Sequence, residues 1–580
     1  MAKFKRSEDT TEDSLRFVPL GGSGRVTRNM FAYESGEDIL IVDCGIGFPD
    51  FEMLGVDVTI PDITYLKNEN RLNKVRGIVL THAHYDHFGA LSHILSEVRV
   101  PVYGSRLTLE FVQMVLEEAD LNFEPDLREI DPEGGAFELG KFKVTPFRVC
   151  HSVPDTVGFC IETPVGNVFH VSDYKFDWTP IDGKIFAVNK VSNLAEEKPL
   201  ALVSDCLGAT NPGYTESESI VAESLHREIE ESADCQLFVV TVSSNISRIR
   251  QTIESAKKTG RKFCVLGRSM ERSVFIARDL GYLDISKKDL VHPRHARGKD
   301  QSKLCYLAAG CYGQRGSAID RISRGEHRDV ELEEGARIVF SGDPSPPGAR
   351  NSVDIVIDEL ILKGADVSYY DIQENMHVSG HGSAGDTQML FGLVKPEYFV
   401  PIGGSPKYMH AYAQLAEAMG NPSENIFELQ EGQYLDFRLP EGHRKDEQID
   451  VTQAKVKRGS FSFRDVLVDG SRVGDVGQVV LHDRKVLSDD GIVVIIVPLD
   501  PKTGKISGSV EIVTRGFVYV RESKELLSRL RSRIQSTIDS KPSSKGTWGN
   551  LRRSIGSSAS QFIAEETGRN PLILSVLVEV

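Results

Sequence analysis

The segment THAHYDHFG, at residues 81–89, constrains this chain more than any other feature of its sequence. It follows an apolar stretch, Val75–Leu80, that predicts a β-strand, and it precedes a helical stretch, Ala90–Val98. Three imidazoles and a carboxylate therefore crowd into the turn between a buried strand and a helix. Burying so many polar groups is costly unless a counter-ion accompanies them. The segment predicts a metal centre within an α/β fold.

The spacing within this segment divides its side chains between two positions. Alternate residues of an extended segment point the same way, so His82 and His84 can share one ion. Asp86 and His87 lie at the turn and can face a second ion close by. The sequence therefore predicts a centre that holds two metal ions.

Further ligands are expected at the ends of neighbouring strands. His151 follows the strand-like FKVTPFRVC, and Asp173 follows the strand-like NVFHVS. Either residue alone is more often a turn or capping residue, but beside the histidine motif they supply a third imidazole and a carboxylate able to bridge two cations. His170, within a strand, and His93, on a helix face, are interpreted as ordinary structural residues.

Composition bounds the class of protein. The chain has 580 residues, of which 40% are hydrophobic and 26% charged, and it carries a formal net charge of −16. This is a globular composition long enough for several domains. The longest apolar runs, Gly491–Pro498 and Leu572–Val580, are far shorter than the roughly 20 residues that cross a bilayer. The acidic balance argues against a general nucleic-acid binder but not against a nuclease with a local cationic cleft.

The cysteines and the N-terminal residues bear on the compartment. Eight cysteines are scattered without a CxxC pair, a pattern typical of reduced thiols. No apolar segment follows the basic residues of MAKFKRSEDTTEDS, so no secretory signal is predicted. We expect a cytoplasmic protein without a membrane partner.

The pattern along the chain changes after Pro199. Before it, short apolar strands broken by Gly and Pro indicate a mixed α/β layout. After it, strands alternate with helices predicted over Ile246–Thr259, Met270–Leu280 and Val353–Gly364. Such alternation predicts a parallel sheet.

Two basic segments leave alternatives open. Leu290–Lys303 is either a solvated loop or a contact for phosphates. The helix predicted over Lys524–Ser540 carries Arg529, Arg531 and Arg533, which more often form a solvated helix face than a functional surface.

The sequence resembles the metallo-β-lactamase superfamily, more closely its β-CASP nucleases, and specifically the ribonuclease J family. The resemblance rests on segments along almost the whole chain: LGGSGRVTRNM, GFPDFEMLGVDVTIPDITYL, LTHAHYDHFGAL, HSVPDTVGFCIETPVGN, SDYKFDWTPIDG, SSNISRIRQ, GRSM, MHVSGHGS, PKYMHAYAQLAE, VLVDGSRVGDVG and RGFVYVRES. It implies an α/β protein with a metallo-β-lactamase αββα sandwich, an inserted β-CASP α/β domain and a small C-terminal α/β domain. The expected divisions are a flexible arm (1–14), the metallo-β-lactamase domain (15–206 and 376–441), the β-CASP domain (207–375), a linker (442–465) and the C-terminal domain (466–580).

The resemblance also implies roles for the site residues. His82, His84 and His151 would hold one zinc ion, Asp86 and His87 a second, and Asp173 would bridge them, giving two ions per chain. Asp86, Asp173, Asp205 and His381 would be the catalytic residues. The segment His377, Val378, Ser379, Gly380 and His381 would hold a substrate phosphate.

The chain departs from the family pattern at one metal ligand. Family members carry PxHGE, whereas residues 401–405 read PIGGS, so Gly403 stands where the last histidine of the second metal is expected. Occupancy of the second site should therefore fall. His410, seven residues downstream, could replace that histidine only after a local rearrangement. Arg25 and the loop Gly310–Gly316 also differ from the family, which alters the expected substrate contacts.

The resemblance implies a zinc-dependent ribonuclease that degrades or processes single-stranded RNA from its 5′ end and also cuts internally. The alternative, favoured by Gly403, is a weak or inactive RNA-binding subunit that partners an active homologue. A small-molecule hydrolase is a third hypothesis, which the large insertion between Asp205 and His377 disfavours. The resemblance also implies a homodimer or homotetramer through the C-terminal domain and contacts with other RNA-degradation proteins.

Overall fold

A computed structural model describes residues 11, 13–50, 52–119, 121–342, 350–369, 372, 375–440, 449–470, 472–474, 476–500, 507–517, 523–540 and 548–580. Most of the arm predicted over 1–14 and residues 442–448 of the predicted linker lie outside the described residues. The chain forms two compact units, one comprising Met1–Phe48 and Val58–Val466, the other Pro49–Asp57 and Leu467–Val580.

The first part of the larger unit supplies most of a two-sheet sandwich. Its strands are β1 (Ser14–Gly21), β2 (Met30–Ser35), β3 (Asp38–Val42), β4 (Val58–Ile60), β5 (Val75–Val79), β6 (Val102–Gly104), β7 (Leu127–Glu129), β8 (Phe137–Leu139), β9 (Phe142–Arg148), β10 (Val157–Thr163), β11 (Gly166–Val171) and β12 (Ala201–Asp205). Its helices are α1 (Thr64–Lys67), α2 (Tyr85–Phe88), α3 (Leu91–Ile94), α4 (Arg106–Glu118) and α5 (Val188–Leu194).

An inserted region follows, and the chain then returns to the sandwich. The insertion contains α6 (Glu218–Glu231), β13 (Leu237–Val240), α7 (Ile246–Lys258), β14 (Lys262–Leu266), α8 (Arg268–Asp279), β15 (Leu304–Ala308), α9 (Ala318–Arg324), β16 (Arg337–Phe340), α10 (Arg350–Leu362) and β17 (Asp366–Ser368). The returning chain adds α11 (Ala384–Val394), β18 (Tyr398–Ile402), α12 (Pro406–Ala418), β19 (Gln433–Arg438) and β20 (Lys455–Ser460).

Two sheets pack face to face in the sandwich. One has the order β20-β19-β1-β2-β3-β5-β6-β7 and the other β18-β12-β11-β10-β9-β8. Buried side chains such as Phe17, Phe142 and Phe159 fill the space between them. Helices α5, α11 and α12 cover the outer face of the second sheet, where Phe391 and Tyr412 pack against its strands. This confirms the predicted αββα sandwich.

Parallel strands bring the polar strand ends to common edges. Strand β3 runs parallel to β5, and β11, β12 and β18 run parallel to one another. The histidine motif follows β5, Asp173 follows β11, Asp205 ends β12 and Gly403 follows β18. Parallel strands end at the same sheet edge, so residues far apart in sequence come together there.

The insertion forms its own parallel sheet of order β14-β15-β13-β16-β17. The predicted parallel sheet is confirmed, and the helices predicted from the sequence match α7, α8 and α10 within three residues at each end. Its core is separate from that of the sandwich and includes Phe238, Tyr306 and Ile357.

The smaller unit is an α/β module. Its elements are β21 (Val466–Asp469), β22 (Arg472–Val473), α13 (Gln478–Asp489), β23 (Ile492–Leu499), β24 (Glu511–Arg515), α14 (Lys524–Asp539), α15 (Trp548–Thr567) and β25 (Leu572–Glu579). Alternate residues of β23, including Val493 and Ile495, pack with Leu530 of α14 and Ile555 of α15. Among the described residues, no helix is long and apolar enough to cross a membrane.

Candidate metal centre

The histidine motif changes from extended to helical backbone at His84. This residue has φ −98° and ψ 141° and directly precedes α2, which contains Asp86 and His87 and ends at Phe88. His82 and His84 thus lie on the extended side of the junction, and Asp86 and His87 on the helical side. The local backbone accounts for the division that the spacing predicts.

The first ligand group draws on three separate segments. The Nε2 atom of His82 lies 3.0 Å from Nδ1 of His84, which lies 3.1 Å from Nε2 of His151. Oδ2 of Asp173 lies 3.6 Å from Nε2 of His82 and 3.5 Å from Nε2 of His151. One ligand atom from each of these four residues lies within 4.8 Å of the others.

Three imidazole nitrogens and one carboxylate oxygen suit a zinc ion, which prefers four such ligands in a tetrahedral arrangement. Burial lowers the pKa of His82 and His84 well below its usual range, and neighbouring imidazoles lower it further against the opposing effect of Asp173. Burial similarly lowers the pKa of His151 to about 4. All three rings are therefore neutral at pH 7, the form that binds a metal.

A second group of donors surrounds the other carboxylate oxygen of Asp173. Nε2 of His87 lies 3.4 Å from Oδ1 of Asp173 and 3.7 Å from Oδ2 of Asp86. Burial, with help from Asp173, raises the pKa of Asp86 to about 6 although His87 opposes the shift. Asp86, His87 and Asp173, which the sequence predicts to contact a second ion, therefore lie close to one another.

Asp43, which sequence reasoning missed, fixes His87. Its carboxylate accepts from Nδ1 of His87 at 2.8 Å and from the backbone N–H and hydroxyl of Thr81 at 2.8 and 2.9 Å. A carboxylate only accepts, so Nδ1 carries the proton and Nε2 is directed to the centre. The one feature that could have identified Asp43 is its position at the end of a strand parallel to β5.

Gly403 has no side chain, so this position supplies no metal ligand in place of the family histidine. It has φ +68°, a left-handed conformation, and a Cβ added there would approach only Oδ1 of Asp205, at 3.3 Å. His410 is exposed on α12, with its Nδ1 3.6 Å from Oε1 of Glu428. His410 therefore does not supply the missing imidazole in this structure.

His381 and Asp205 form a pair beside the first group. Nδ1 of His381 lies 2.7 Å from Oδ2 of Asp205, and its Nε2 lies 3.9 Å from Oδ2 of Asp173. Although burial opposes the charged form, Asp205 and Asp173 raise the pKa of His381 to about 9. Burial raises the pKa of Asp205 against the effect of His381. His381 is therefore protonated at neutral pH.

The segment from His377 to His381 passes directly over His151. The carbonyl oxygen of Gly380 accepts from Nδ1 of His151 at 2.7 Å. A Cβ on Gly380 would lie 2.6 Å from Cε1 of that ring, so only glycine permits this approach. Val378 is buried, and the hydroxyl of Ser379 accepts from the backbone N–H of His381 at 3.0 Å. The predicted phosphate segment is thus adjacent to the candidate metal ligands.

Other residues considered from the sequence lie outside the centre. His170 is buried between the hydroxyls of Tyr33 and Ser172, at 2.8 and 3.0 Å. His93 lies on α3. Arg25 forms ion pairs with Glu431 and Asp465, at 3.2 and 3.3 Å.

The basic segments are partly neutralised. Arg297, within Leu290–Lys303, forms an ion pair with Glu331, and Arg529 of α14 forms one with Glu566. Neither pair involves the candidate centre.

Comparisons with known protein families match four stretches of the chain. Residues 39–186 match the Beta-lactamase superfamily domain, 234–360 the Ribonuclease J, beta-CASP domain, 369–427 the Zn-dependent metallo-hydrolase RNA specificity domain, and 479–580 the Ribonuclease J C-terminal domain. These matches confirm a metallo-β-lactamase domain with inserted and C-terminal domains.

Several curated proteins are similar over nearly the whole chain. Ribonuclease J2 of Bacillus subtilis is 33% identical over 570 residues, covering 98% of this chain and 99% of the relative. Ribonuclease J 1 of Streptococcus pyogenes is 33% identical over 563 residues, covering 96% of each. A crystal structure of a protein of unknown function from Enterococcus faecalis has a TM-score of 0.51 at 14% identity, covering 73% of this chain and 99% of that chain, which shows a shared fold.

Proposed function

The chain belongs to the ribonuclease J family and is a metal-dependent hydrolase, and on this premise we propose that it is a zinc-dependent ribonuclease. It degrades single-stranded RNA from the 5′ end towards the 3′ end and also cuts internally. The observation that carries the proposal is the convergence of His82, His84, His151 and Asp173, whose ligand atoms lie within 4.8 Å of one another. No purely structural need accounts for three neutral imidazoles, two of them buried and the third half-buried, around one carboxylate.

The donor set fits two zinc ions of unequal affinity. His82, His84 and His151 would hold the first ion together with Asp173, which would also contact the second beside Asp86 and His87. The second site has one protein ligand fewer than the family pattern, since Gly403 has no side chain. We expect the second ion to dissociate first. Bound zinc supplies Lewis acidity, which activates water for attack and neutralises charge on the phosphate oxygens.

His381 is placed to donate a proton to the leaving oxygen. Its Nδ1 is held by Asp205 at 2.7 Å, which leaves Nε2 directed towards the centre. Its pKa of about 9 keeps it charged at neutral pH, so it can first bind a phosphate oxygen and then release its proton. Asp205 orients the ring and stabilises its charge.

The segment from His377 to His381 is proposed to hold a phosphate of the RNA. The hydrogen bond from His151 to the carbonyl of Gly380 fixes this segment against the metal ligands. Backbone N–H groups in a glycine turn can cradle an anion, which suits recognition of a 5′ monophosphate. Val378 is buried and anchors the segment, while Ser379 and His381 supply polar atoms.

A catalytically weak RNA-binding subunit is the second candidate function, and Gly403 is the observation that favours it. If the second ion is too weakly held for catalysis, the chain would retain an RNA-binding cleft and the assembly surface of the family. Such a subunit would partner an active homologue and other RNA-degradation proteins.

The smaller unit is proposed to mediate a homodimer or homotetramer. One face of its sheet packs against α14 and α15, whereas Ile492, Val494 and Ile496 of β23 on the other face are only half-buried. Leu574 of β25 is 40% exposed. Burial of these apolar side chains by a second copy would stabilise an assembly.

A cytoplasmic location is proposed from the cysteines. All eight are free, and seven of them are buried. Burial raises the pKa of Cys150 to about 11, so this thiol stays protonated and unreactive. Buried free thiols are typical of proteins kept in a reducing compartment.

Product analysis with a single-stranded RNA labelled at its 3′ end tests the activity. We expect zinc-loaded protein to shorten a 5′-monophosphorylated RNA from the 5′ end and to act more slowly on a 5′-hydroxyl RNA. His82→Ala should abolish cleavage, whereas His93→Ala, which alters a histidine outside the centre, should retain it. Intact RNA that nevertheless binds the wild-type protein would favour the subunit role.

A further inference from the structure

Arg248 is a fully buried arginine in the first turn of α7, in the inserted region. The side chain of Asn245 caps this helix by accepting from the backbone N–H of Arg248 at 2.9 Å. A buried guanidinium is costly unless its N–H groups are paired. The hydrogen-bond partners of Arg248 therefore indicate which parts of the structure this side chain holds in place.

Its partners lie on its own helix and on three other segments. Nη2 donates to Oε2 of Glu218 at 2.9 Å, and Nε donates to Oε1 of Gln251 at 3.0 Å. Nη1 donates to the hydroxyl of Ser341 and, at 3.0 Å, to the carbonyl oxygen of Met376. The hydroxyl of Ser341 donates to the same carbonyl at 2.7 Å. Two buried side chains of the inserted region thus hold one backbone carbonyl.

That carbonyl immediately precedes the proposed phosphate segment. The far end of the segment is held by three hydrogen bonds. His151 donates to the carbonyl of Gly380, and the N–H of Gly382 donates to the carbonyl of Tyr174 at 2.6 Å. The hydroxyl of Thr215 donates to the carbonyl of His381 at 2.9 Å. The near end, at Met376, is held by Arg248 and Ser341. Residues 376–382 are therefore fixed at both ends.

Glu218 connects Arg248 to the sandwich as well. Its backbone N–H donates to Oδ2 of Asp177 at 3.0 Å, and its Oε1 lies 3.8 Å from Nζ of Lys175. Both partners are buried and lie within four residues after Asp173 along the chain. Arg248 thus belongs to a buried charge cluster, defined by Lys175, Asp177, Glu218 and Arg248, that joins the inserted region to the strand end carrying a metal ligand.

We propose that Arg248, with Ser341, is a positioning residue that sets the phosphate segment at residues 376–382 in its substrate-binding geometry. Neither residue touches the metal centre, so both act through the carbonyl of Met376. The inference rests on the proposed function, because it assigns the segment a role in holding RNA. It predicts a larger effect on RNA affinity and local order than on the chemical step, because His381 is held separately by Asp205 and Thr215.

Amide hydrogen exchange and steady-state kinetics test this together in Arg248→Lys and Ser341→Ala. Lysine keeps the charge beside Glu218 but cannot donate to Glu218 and Met376 with the same fork. We expect exchange in residues 376–382 to rise about tenfold in each variant, equivalent to the loss of about one hydrogen bond. KM for a 5′-monophosphorylated RNA should rise about tenfold, with kcat changed by less than about threefold.

Arg261→Lys is the matched control. Arg261 is also a buried arginine of the inserted region, and its guanidinium donates to the carbonyls of Leu304, at 2.7 Å, and of Ser232. It should lower thermal stability without changing exchange in residues 376–382 or KM. Unchanged exchange in both test variants, or an equal rise in Arg261→Lys, would overturn the proposal. If the wild-type protein releases no nucleotides, the proposed function fails, and the exchange experiment still decides whether Arg248 and Ser341 order this segment.

Discussion

His151 donates from Nδ1 to the carbonyl oxygen of Gly380 at 2.7 Å, a contact between residues 229 positions apart. The carbonyl only accepts, so the proton lies on Nδ1 and Nε2 is the ligand atom directed to His84 and Asp173. One hydrogen bond therefore sets both the orientation of a metal ligand and the position of the proposed phosphate segment.

Gly380→Ala should disrupt both at once. The added Cβ would lie 2.6 Å from Cε1 of His151, so the ring or the segment must move. We expect zinc affinity to fall by about 10–100-fold, as when other support of a metal ligand is removed, and RNA cleavage to fall with it. Elemental mass spectrometry after dialysis and a cleavage assay measure the two effects.

Gly392→Ala is the control for this substitution. Gly392 lies within α11, and a Cβ there meets nothing within 4 Å. This change should leave metal content and cleavage unaltered and stabilise the helix by up to about 1 kcal/mol. Equal metal content in Gly380→Ala and wild type would contradict the proposed role of the contact.

Asp205→Asn should change the pH dependence of cleavage. Asp205 and Asp173 raise the pKa of His381 to about 9, so the charged form is present below that pH and is lost as the pH rises through it. Removal of the Asp205 charge lowers this pKa, and the alkaline fall in kcat should move towards neutral pH. A pH–rate profile with the same alkaline limb in both proteins would show that His381 is not the proton donor.

Gly403→His should strengthen the second metal site. An added imidazole at this position would project beside Asp205, where a Cβ meets one atom at 3.3 Å. The left-handed backbone costs any non-glycine residue about 1–2 kcal/mol, so Gly403→Ala controls for strain. We expect only the histidine variant to retain two zinc ions through dialysis that removes the second ion from wild type. Loss of zinc from both variants would argue that the position does not face the site.

His170 should make the metal-free protein less stable in acid. Burial, with a smaller effect from His87, lowers the pKa of His170 to about 3. Between about pH 6.5 and 3 the unfolded chain binds a proton that the folded protein does not, so stability falls as pH falls through this range. His170→Gln should reduce that loss by an amount on the order of a few kcal/mol, measured by denaturant unfolding at pH 7.5 and pH 5. An unchanged difference between the two pH values would contradict this assignment.

The sequence was most informative where chemistry is concentrated in a short segment. The spacing of the histidine motif predicts the division at His84, and the alternation of strands and helices predicts the parallel sheet of the inserted region. His151 and Asp173 could be predicted as ligands because each directly follows an apolar strand. These features depend on local order along the chain, which periodicity and turn residues reveal.

The contacts that orient the ligands could not be predicted in this way. Asp43 is one carboxylate after one strand, and that position alone does not indicate that it holds His87. Arg248 lies in an ordinary helical pattern, yet its carbonyl partner is 128 residues away. Such pairings depend on how the elements pack, and a single buried polar residue leaves no periodic signature. For the same reason, the inclusion of Pro49–Asp57 in the smaller unit was not foreseen.

The four convergent ligands are proposed to make this chain a zinc-dependent ribonuclease. The most direct test of this activity measures zinc per chain by elemental mass spectrometry and nucleotide release from a 5′-monophosphorylated single-stranded RNA in the same preparation. We expect two zinc ions per chain before dialysis, with the second more easily removed, zinc-dependent release of mononucleotides, and loss of both zinc and activity in His82→Ala. One zinc ion or none, with RNA bound but intact, would contradict the catalytic claim and favour the RNA-binding subunit.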